Sequence, residues 1–350
     1  MAAIFIDPSL GLRTARDPQN IGVITEEIEG LIRVNKDGHV ERPEIVPCVS
    51  SALPPELGVF SRDIVIDKSI NIWARFYAPT SPTGKLPLLV YFHGGGFCVG
   101  SAAWSCYHEF LAKLAAKSSC LIMSVNYRLA PENPLPVAYE DGFKALLWLK
   151  QQATDHLSGS HQWWLGRCDF TRIFLVGDSA GANIAYNLST RLAFNDAFEE
   201  KSLMPLVIKG VVLLQPFFGG ETRTSSEKFM AMQSARKSAL SLAASDTYWR
   251  LALPAGANRD HPWCNPLAKG SIEVEKLGVL PTLVCVSEMD ILKDRNLEFC
   301  GKLRKAGKKV ECEVYGGVGH AFQVLSKSQL SLTRSYEMVG RIKDFVSRIL

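Results

Sequence analysis

The stretch Leu175-Val176-Gly177-Asp178-Ser179-Ala180-Gly181 runs from an apolar strand into a G-x-S-x-G turn, and a helical pattern begins near Ala182. The small residues at 177 and 181 allow the chain to reverse tightly between the strand and the helix. Such a turn forces Ser179 into a strained, exposed backbone position from which its hydroxyl oxygen can attack a substrate. The pattern therefore favours Ser179 as a nucleophile. The alternative is an inert serine in a glycine-lined turn.

Short apolar or β-branched runs alternate with helical patterns on both sides of this segment. Continuous apolar runs are typical of parallel strands that are buried on both faces. The alternation predicts a doubly wound α/β fold with a mostly parallel central sheet flanked by helices, whose binding crevice lies at the carboxyl ends of the strands. The predicted strands are Leu86 to Phe92, Cys120 to Val125, Arg172 to Val176, Ile208 to Leu214, Thr282 to Val286 and Lys309 to Tyr315, preceded by an antiparallel hairpin from Asp63 to Asp67 and Ile70 to Tyr77.

Two regions do not follow this alternation. Residues 1 to about 60, and about 192 to 270 apart from the strand 208–214, are expected to form a cap over the crevice. The second region carries aromatic residues without a sheet to join, which favours a helical cap. We therefore expect a single domain over residues 1–350 with a helical cap.

The composition limits the classes of protein that this chain can belong to. Hydrophobic residues make up 47% of its 350 residues and charged residues 21%, which is typical of a globular protein and excludes a disordered or fibrous one. The net charge is 39 − 35 = +4, too small and too dispersed for nucleic acid or an anionic membrane to be the expected partner. No apolar run reaches the roughly 18 residues that a membrane span needs.

The amino terminus and the cysteines indicate where the protein acts. Asp7 and Pro8 interrupt the first apolar residues, and no basic leader precedes them, so no secretory signal or transit peptide is legible. The nine cysteines form no C-x-x-C pair, which favours free thiols in a reducing compartment. We expect a cytoplasmic protein. The sequence does not specify an oligomeric state.

A second glycine-rich motif, His93-Gly94-Gly95-Gly96, follows the strand that ends at Phe92. Glycines at this edge of the sheet allow backbone amides to approach a substrate closely. The amides of Gly94, Gly95 and Ala180 are predicted to form an oxyanion hole, in which each donor contributes roughly 3 to 4 kcal/mol in the transition state. A phosphate-binding loop is the alternative, but neither of its glycine patterns is present.

A serine nucleophile requires a general base and a group that orients the base. Of the seven histidines, only His320 follows the last predicted strand, in the loop Gly316-Gly317-Val318-Gly319-His320-Ala321-Phe322. It is therefore the predicted base, with His261 in the presumed cap as the other candidate.

Three carboxylates follow the strand that ends at Val286: Glu288, Asp290 and Asp294. Asp290 lies in the loop and is the predicted orienting group. Asp294 marks the start of the next helix, where a carboxylate stabilises the amino-terminal end, and the longer Glu288 lies nearer the strand. The order Ser179, Asp290, His320 is the order found in α/β-hydrolases.

Together these motifs resemble the plant carboxylesterases of the hormone-sensitive-lipase group, from about residue 30 to the end of the chain. The resemblance implies an α/β-hydrolase with a helical cap that cleaves small carboxylic esters without a cofactor or metal. Gibberellin receptors are similar but lack the catalytic histidine, and isoflavanone dehydratases have threonine at the nucleophile position. The resemblance rests on His93 to Phe97, Tyr127 to Glu132, Gly177 to Asn183, Asp290 and His320.

The expected partner is a small-molecule ester. Aromatic residues near the strand ends and in the cap predict an apolar substrate pocket. Two other functions stay open: a cofactor-free elimination or cyclisation enzyme of plant specialised metabolism, and a non-catalytic small-molecule receptor. The predicted substrate contacts are Phe97, Phe217, Phe218, Trp249 and Phe322.

Overall fold

A computed structural model describes residues 23–81, 84–154, 162–194, 203–232, 239–271 and 278–349. Its strands form a small sheet near the amino terminus and one large central sheet. The strands are β1 (Ile24–Ile28), β2 (Ile32–Asn35), β3 (Val40–Glu41), β4 (Val59–Asp67), β5 (Ile72–Pro79), β6 (Leu86–Phe92), β7 (Leu121–Asn126), β8 (Cys168–Asp178), β9 (Ile208–Leu214), β10 (Thr282–Ser287) and β11 (Val310–Tyr315).

The central sheet has the order β11-β10-β9-β8-β6-β7-β5-β4. Strands β6 to β11 pair in parallel, whereas β4 and β5 form an antiparallel hairpin that joins the sheet through β7. The predicted α/β fold with a mostly parallel sheet is confirmed. All six predicted parallel strands and the predicted hairpin are present within a few residues of their expected bounds.

Helices cover both faces of this sheet. The described helices are α1 (Ser105–Ser118), α2 (Val137–Thr154), α3 (Gln162–Leu165), α4 (Ala180–Phe194), α5 (Ser225–Met232), α6 (Leu242–Ala252), α7 (Lys293–Lys305), α8 (Phe322–Leu325) and α9 (Gln329–Arg348), with a 3-10 turn at Pro55–Leu57.

The central strand β6 explains why its sequence is apolar throughout. Side chains alternate across a strand, so Leu88 and Val90 lie on one face and Leu89 and Tyr91 on the other. The first face belongs to a core cluster that includes buried residues of α2, α4 and α7, and the second to a cluster that includes buried residues of α1 and α9. Because both faces are covered, every residue of β6 is buried.

The segments expected to form a cap contact each other. In the first, residues 24–41 form the antiparallel sheet β1-β2-β3, and β4 then begins the central sheet at Val59. The second contributes α5 and α6, and the guanidinium of Arg250 on α6 donates two hydrogen bonds, of 2.8 and 2.9 Å, to the carboxylate of Glu26 on β1. Residues 1–22 of the expected cap lie outside the described residues.

Candidate active site

The turn between β8 and α4 holds Ser179 in a left-handed backbone conformation, with φ of 53°. A side chain at Gly177 would place its Cβ 2.3 Å from the carbonyl carbon of Gly181, and one at Gly181 would place its Cβ 1.9 Å from the carbonyl oxygen of Phe92. Only glycine fits at both positions. The close approach of strand and helix therefore fixes the serine at the carboxyl end of the sheet.

Ser179, His320 and Asp290 form one continuous hydrogen-bonded chain. The Nε2 atom of His320 is 2.8 Å from Ser179 Oγ, and its Nδ1 atom is 2.7 Å from Asp290 Oδ2. All three side chains are buried, and they follow strands β8, β10 and β11. The other carboxylate oxygen of Asp290 accepts the amide hydrogen of Leu292 at 3.1 Å, which orients the carboxylate. The structure thus brings together the three residues that the sequence selects.

The other candidates from the sequence occupy different places. Glu288 is exposed, and its carboxylate accepts the amide hydrogen of Gly317 at 2.8 Å. Asp294 accepts the amide hydrogen of Ser226 at 2.7 Å, at the start of α5. His261 lies beside the indole of Trp263, with ring centroids 4.6 Å apart. None of these contacts joins the chain of hydrogen bonds at Ser179.

The glycine loop departs from the expectation at one position. The amide of Gly94 donates to the hydroxyl of Tyr107 at 2.8 Å and to Asp178 Oδ1 at 3.0 Å, so it is already bound within the protein. The expected role of Gly94 as an oxyanion donor is corrected by this geometry. Gly95 and Gly96 instead line the same pocket as Ser179.

Asp178 organises this loop from beneath. The hydroxyl of Tyr91 donates to its Oδ1 at 2.7 Å, and the hydroxyl of Tyr107 donates to its Oδ2 at 3.0 Å. Burial raises the pKa of Asp178 to about 6, although these hydrogen bonds favour the charged form. Asp178 was not among the residues predicted for the site; the available signal was a carboxylate directly before the serine in the turn after β8.

His93, at the start of the glycine loop, is a buried neutral side chain. Burial lowers its pKa to about 4, and its Nδ1 lies 2.8 Å from the carbonyl oxygen of Gly94. Its ring stacks on Tyr127 with centroids 4.4 Å apart, and the hydroxyl of Tyr127 donates to the carbonyl oxygen of His93 at 2.7 Å. These contacts hold the loop at the end of β6.

The predicted aromatic contacts divide into three groups. Phe217 lines the pocket. Trp249 stacks on Phe217 with centroids 4.6 Å apart, and Phe97 lies 5.6 Å from Trp249, so both support the pocket wall from behind.

The two remaining predicted contacts, Phe218 and Phe322, are corrected by the structure. Phe218 packs against Tyr186 and Phe299 in the core, and Phe322 packs against Tyr315. Phe218 adjoins Phe217 on the chain, but its ring turns away from the pocket into this separate cluster.

Other residues complete the pocket. Tyr248 covers Gly96, since a Cβ on that glycine would lie 2.3 Å from the tyrosine ring. Tyr248 adjoins Trp249 on α6, and neighbouring side chains on a helix point about 100° apart. Tyr248 therefore faces the pocket, whereas Trp249 faces the protein interior. Of these two neighbours, only Trp249 was among the predicted substrate contacts. Leu31, Ile45, Trp104, Leu240 and Leu325 also contribute apolar wall.

Two kinds of structural feature are absent from the described residues. Across the described ranges, no group of three or more His, Cys, Asp or Glu side chains is arranged to hold a metal ion. None of the helices in the described part of the chain combines the length and hydropathy that crossing a bilayer requires.

A serine at a glycine-lined turn, joined to a histidine and an acid from later strands of a parallel sheet, characterises the serine hydrolases of the α/β class. A family profile described as alpha/beta hydrolase fold matches residues 89–324. The chain belongs to this family and, within it, to the plant carboxylesterases of the hormone-sensitive-lipase type.

Individual relatives support this placement. The chain is 51% identical to probable carboxylesterase 6 of Arabidopsis thaliana, over 95% of both chains. It is 36% identical to 2-hydroxyisoflavanone dehydratase of Glycyrrhiza echinata, over 92% of this chain and 96% of the relative. Among solved structures, an esterase of Pyrobaculum calidifontis superposes with a TM-score of 0.65 at 26% identity, over 81% of this chain and 84% of that one.

Proposed function

We propose that this protein is a serine carboxylesterase that hydrolyses small carboxylic esters through an acyl-enzyme intermediate. The observation that carries the proposal is the continuous chain from Asp290 through His320 to Ser179, with separations of 2.7 and 2.8 Å. Ser179 and His320 border a largely apolar pocket. The high identity to a plant carboxylesterase over almost the whole chain supports the same function.

The first half of the reaction forms the acyl-enzyme. His320 Nε2 removes the hydroxyl proton of Ser179 while Ser179 Oγ attacks the carbonyl carbon of the ester. Asp290 accepts a hydrogen bond from the Nδ1–H group of His320, which fixes the tautomer and stabilises the imidazolium that forms. His320 then gives its proton to the departing alcohol as the carbon–oxygen bond of the ester breaks.

Backbone amides stabilise the negative oxygen of the tetrahedral intermediate. We assign this role to Gly95, Gly96 and Ala180, with Gly96 in place of Gly94, because the amide of Gly94 is bound to Asp178. Gly95 and Gly96 line the pocket beside Ser179. Ala180 is the first residue of α4, where the helix dipole favours negative charge. Loss of one such donor costs roughly 3 to 4 kcal/mol of transition-state stabilisation.

The second half of the reaction restores the enzyme. A water molecule attacks the acyl carbon while His320 Nε2 accepts its proton, and the proton then passes to Ser179 Oγ as the acid leaves. The protein groups that exchange the proton, Ser179 Oγ and His320 Nε2, already lie within hydrogen-bond distance. The residues therefore account for hydrolysis without a metal or organic cofactor.

The walls of the pocket favour esters with small apolar acyl groups. Leu31, Leu240, Phe217 and Tyr248 converge on Ser179 from the two cap segments and from the loop after β9. Tyr248 lies directly over the glycine loop, which limits the length of chain that the pocket accepts. We assign substrate binding to Phe217 and Tyr248, with Phe97 and Trp249 as supports behind them.

The chain is proposed to be one domain over residues 1–350, with its cap built by the two predicted segments. The ion pair between Arg250 and Glu26, which links α6 to β1, supports a cap that acts as one unit.

A cytoplasmic location is proposed because all nine cysteines are free and most of them are buried, as expected in a reducing compartment.

The alternative function is a cofactor-free elimination, the class of reaction that the name of the dehydratase relative indicates. A fluorophosphonate probe distinguishes the esterase mechanism from this alternative. We expect covalent labelling at Ser179, located by peptide mass spectrometry, together with an initial burst of p-nitrophenol from p-nitrophenyl acetate. The Ser179→Ala variant is the control and should neither be labelled nor show a burst. The acyl-enzyme mechanism would be contradicted if the wild type hydrolyses an ester rapidly but the probe does not label Ser179. Tight ligand binding without turnover would favour a receptor.

A further inference from the structure

A second recess lies behind the loop that carries His320. It is bordered by α1, by α8 and by the first turns of α9, and we call it the rear groove. We propose that the rear groove binds a medium-chain carboxylate, a ligand with an alkyl chain and one negative charge. The residues that define it are Phe110, Lys113, Lys117, Gln323, Lys327 and Tyr336.

The charge around the rear groove favours an anion. Lys113, Lys117 and Lys327 are exposed, whereas Glu109 is the acidic residue that borders the groove. None of the three ammonium groups forms an ion pair with a described residue. The ammonium of Lys117 lies 5.7 Å from the ring centroid of Tyr336. Three cations beside one carboxylate leave a net positive rim that can pair with the charged end of a carboxylate ligand.

The floor and walls of the rear groove are apolar. Phe110 and Val339 are buried beneath it, while 46% of Leu332 and 68% of Tyr336 remain exposed. Covering such surface with an alkyl chain is favourable because it removes apolar area from water. The apolar area lies in a recess between α1, α8 and α9 rather than on a projecting face. A single amphiphilic molecule therefore fits the groove better than a lipid bilayer does.

Gln323 adds an unsatisfied polar group to this wall. Only 8% of its surface is exposed, and neither its Oε1 nor its Nε2 atom has a partner among the described residues. A buried amide without a hydrogen-bond partner destabilises the folded protein. A ligand that accepts a hydrogen bond from the N–H group of Gln323 therefore gains this bond at a site already removed from bulk water. A carboxylate oxygen is such an acceptor.

Helix α8 lies between the rear groove and the catalytic pocket. Gln323 and Val324 border the groove, whereas Ala321 and Leu325 border the pocket that holds Ser179. The helix begins two residues after His320. A ligand in the rear groove therefore contacts the same short helix that adjoins the catalytic histidine.

Photocrosslinking locates the site directly on the full chain. A decanoate analogue with a terminal diazirine should label residues 109–117 or 326–339, which do not line the catalytic pocket, and an excess of decanoate should suppress the labelling while decan-1-ol should not. The triple variant Lys113→Ala, Lys117→Ala, Lys327→Ala should lose about tenfold in decanoate affinity by calorimetry, because three rim charges are removed. The matched control should bind decanoate as the wild type does. It replaces three exposed lysines outside the groove lining: Lys302→Ala, Lys305→Ala and Lys309→Ala.

A Gln323→Met variant gives a second, independent measurement. It should melt at the same or a higher temperature than the wild type, because the buried unpaired amide is gone, and it should bind decanoate several-fold more weakly. Crosslinks confined to the catalytic pocket would overturn the proposal, as would equal affinities of the two triple variants. Binding to phosphatidylglycerol vesicles without binding to free decanoate would also overturn it, in favour of a membrane. The crosslink reports binding without turnover, so its result does not depend on Ser179 being the nucleophile.

Discussion

Asp290 and Asp294 follow the same strand four positions apart, yet their carboxylates bind different parts of the molecule. Asp290 lies 2.7 Å from the Nδ1 atom of His320, and Asp294 accepts the amide hydrogen of Ser226 at the start of α5. The first contact orients the proposed base. The second joins the amino-terminal ends of α5 and α7. The two side chains therefore form a matched pair for mutation.

Asp290→Asn is expected to lower kcat/KM for p-nitrophenyl acetate by roughly 10³ to 10⁴, because the amide favours the wrong tautomer of His320. Asp294→Asn is the control. It should keep kcat/KM near the wild-type value while lowering the melting temperature, because it weakens a helix-end contact. An equal loss of activity in both variants would show that the carboxylates act through folding rather than through the histidine.

Asp178→Asn is expected to lower kcat by roughly tenfold to a hundredfold with little change in KM. Its carboxylate accepts the amide hydrogen of Gly94, so the substitution loosens the loop that presents the proposed oxyanion donors of Gly95 and Gly96. Steady-state kinetics with p-nitrophenyl butyrate separates the two constants. Tyr107→Phe, which removes one donor to Asp178, should cause a smaller loss in the same direction. A rise in KM at constant kcat would instead indicate a role in binding.

His93 makes the stability of the fold depend on pH. Its pKa is about 4 in the folded protein and 6.5 when unperturbed, so the unfolded chain binds more protons between these values. The stability that the neutral ring provides is fully present above pH 6.5. It falls by up to about 3 kcal/mol as the pH drops to 4.

Urea unfolding of the wild type and of His93→Gln at pH 7.5, 5.5 and 4.5 isolates this contribution. The difference in unfolding free energy between the two proteins should shift in favour of the variant as the pH falls. Asp178, whose pKa is raised to about 6, acts in the opposite direction, since its contribution weakens stability as the pH rises from 4 to 6. It is present in both proteins and cancels in the difference. A difference that is constant with pH would show that His93 titrates normally.

Tyr248→Ala is expected to move the preferred substrate towards longer acyl chains. The ring lies against the glycine loop beside Ser179, and its removal opens space at that end of the pocket. The ratio of kcat/KM for p-nitrophenyl octanoate to that for the acetate should rise by roughly tenfold, as expected for several methylene groups that gain apolar contact. Trp249→Phe, next to it on α6 but behind the pocket wall, should leave this ratio unchanged. An unaltered ratio in Tyr248→Ala would place the limit on chain length elsewhere.

Much of the fold was predictable because its pattern is local. The strands Leu86–Phe92 and Ile208–Leu214 have the bounds that the sequence predicts. Burial on both faces requires continuous apolar runs, and such runs are legible without any long-range information. The three proposed catalytic residues were selected by the same logic, since each follows a parallel strand and the carboxyl ends of such strands meet at one edge.

The pocket was less predictable because side-chain direction depends on packing. Phe217 and Phe218 are neighbours in sequence, but the structure directs one into the pocket and the other against Tyr186 and Phe299. Tyr248 and Trp249 diverge in the same way on α6. Composition shows that aromatic residues are available near the site, while only the packed backbone decides which of them a substrate meets.

By itself, the sequence determined the α/β architecture and the identity of a serine, an acid and a histidine at three strand ends, because periodicity and glycine spacing act over a few residues. Tertiary structure alone decided that the Gly94 amide binds Asp178 rather than a substrate, and that α8 separates two cavities. These contacts join residues that are far apart along the chain. Their hydrogen bonds and packing exist only after the sheet has brought its loops together.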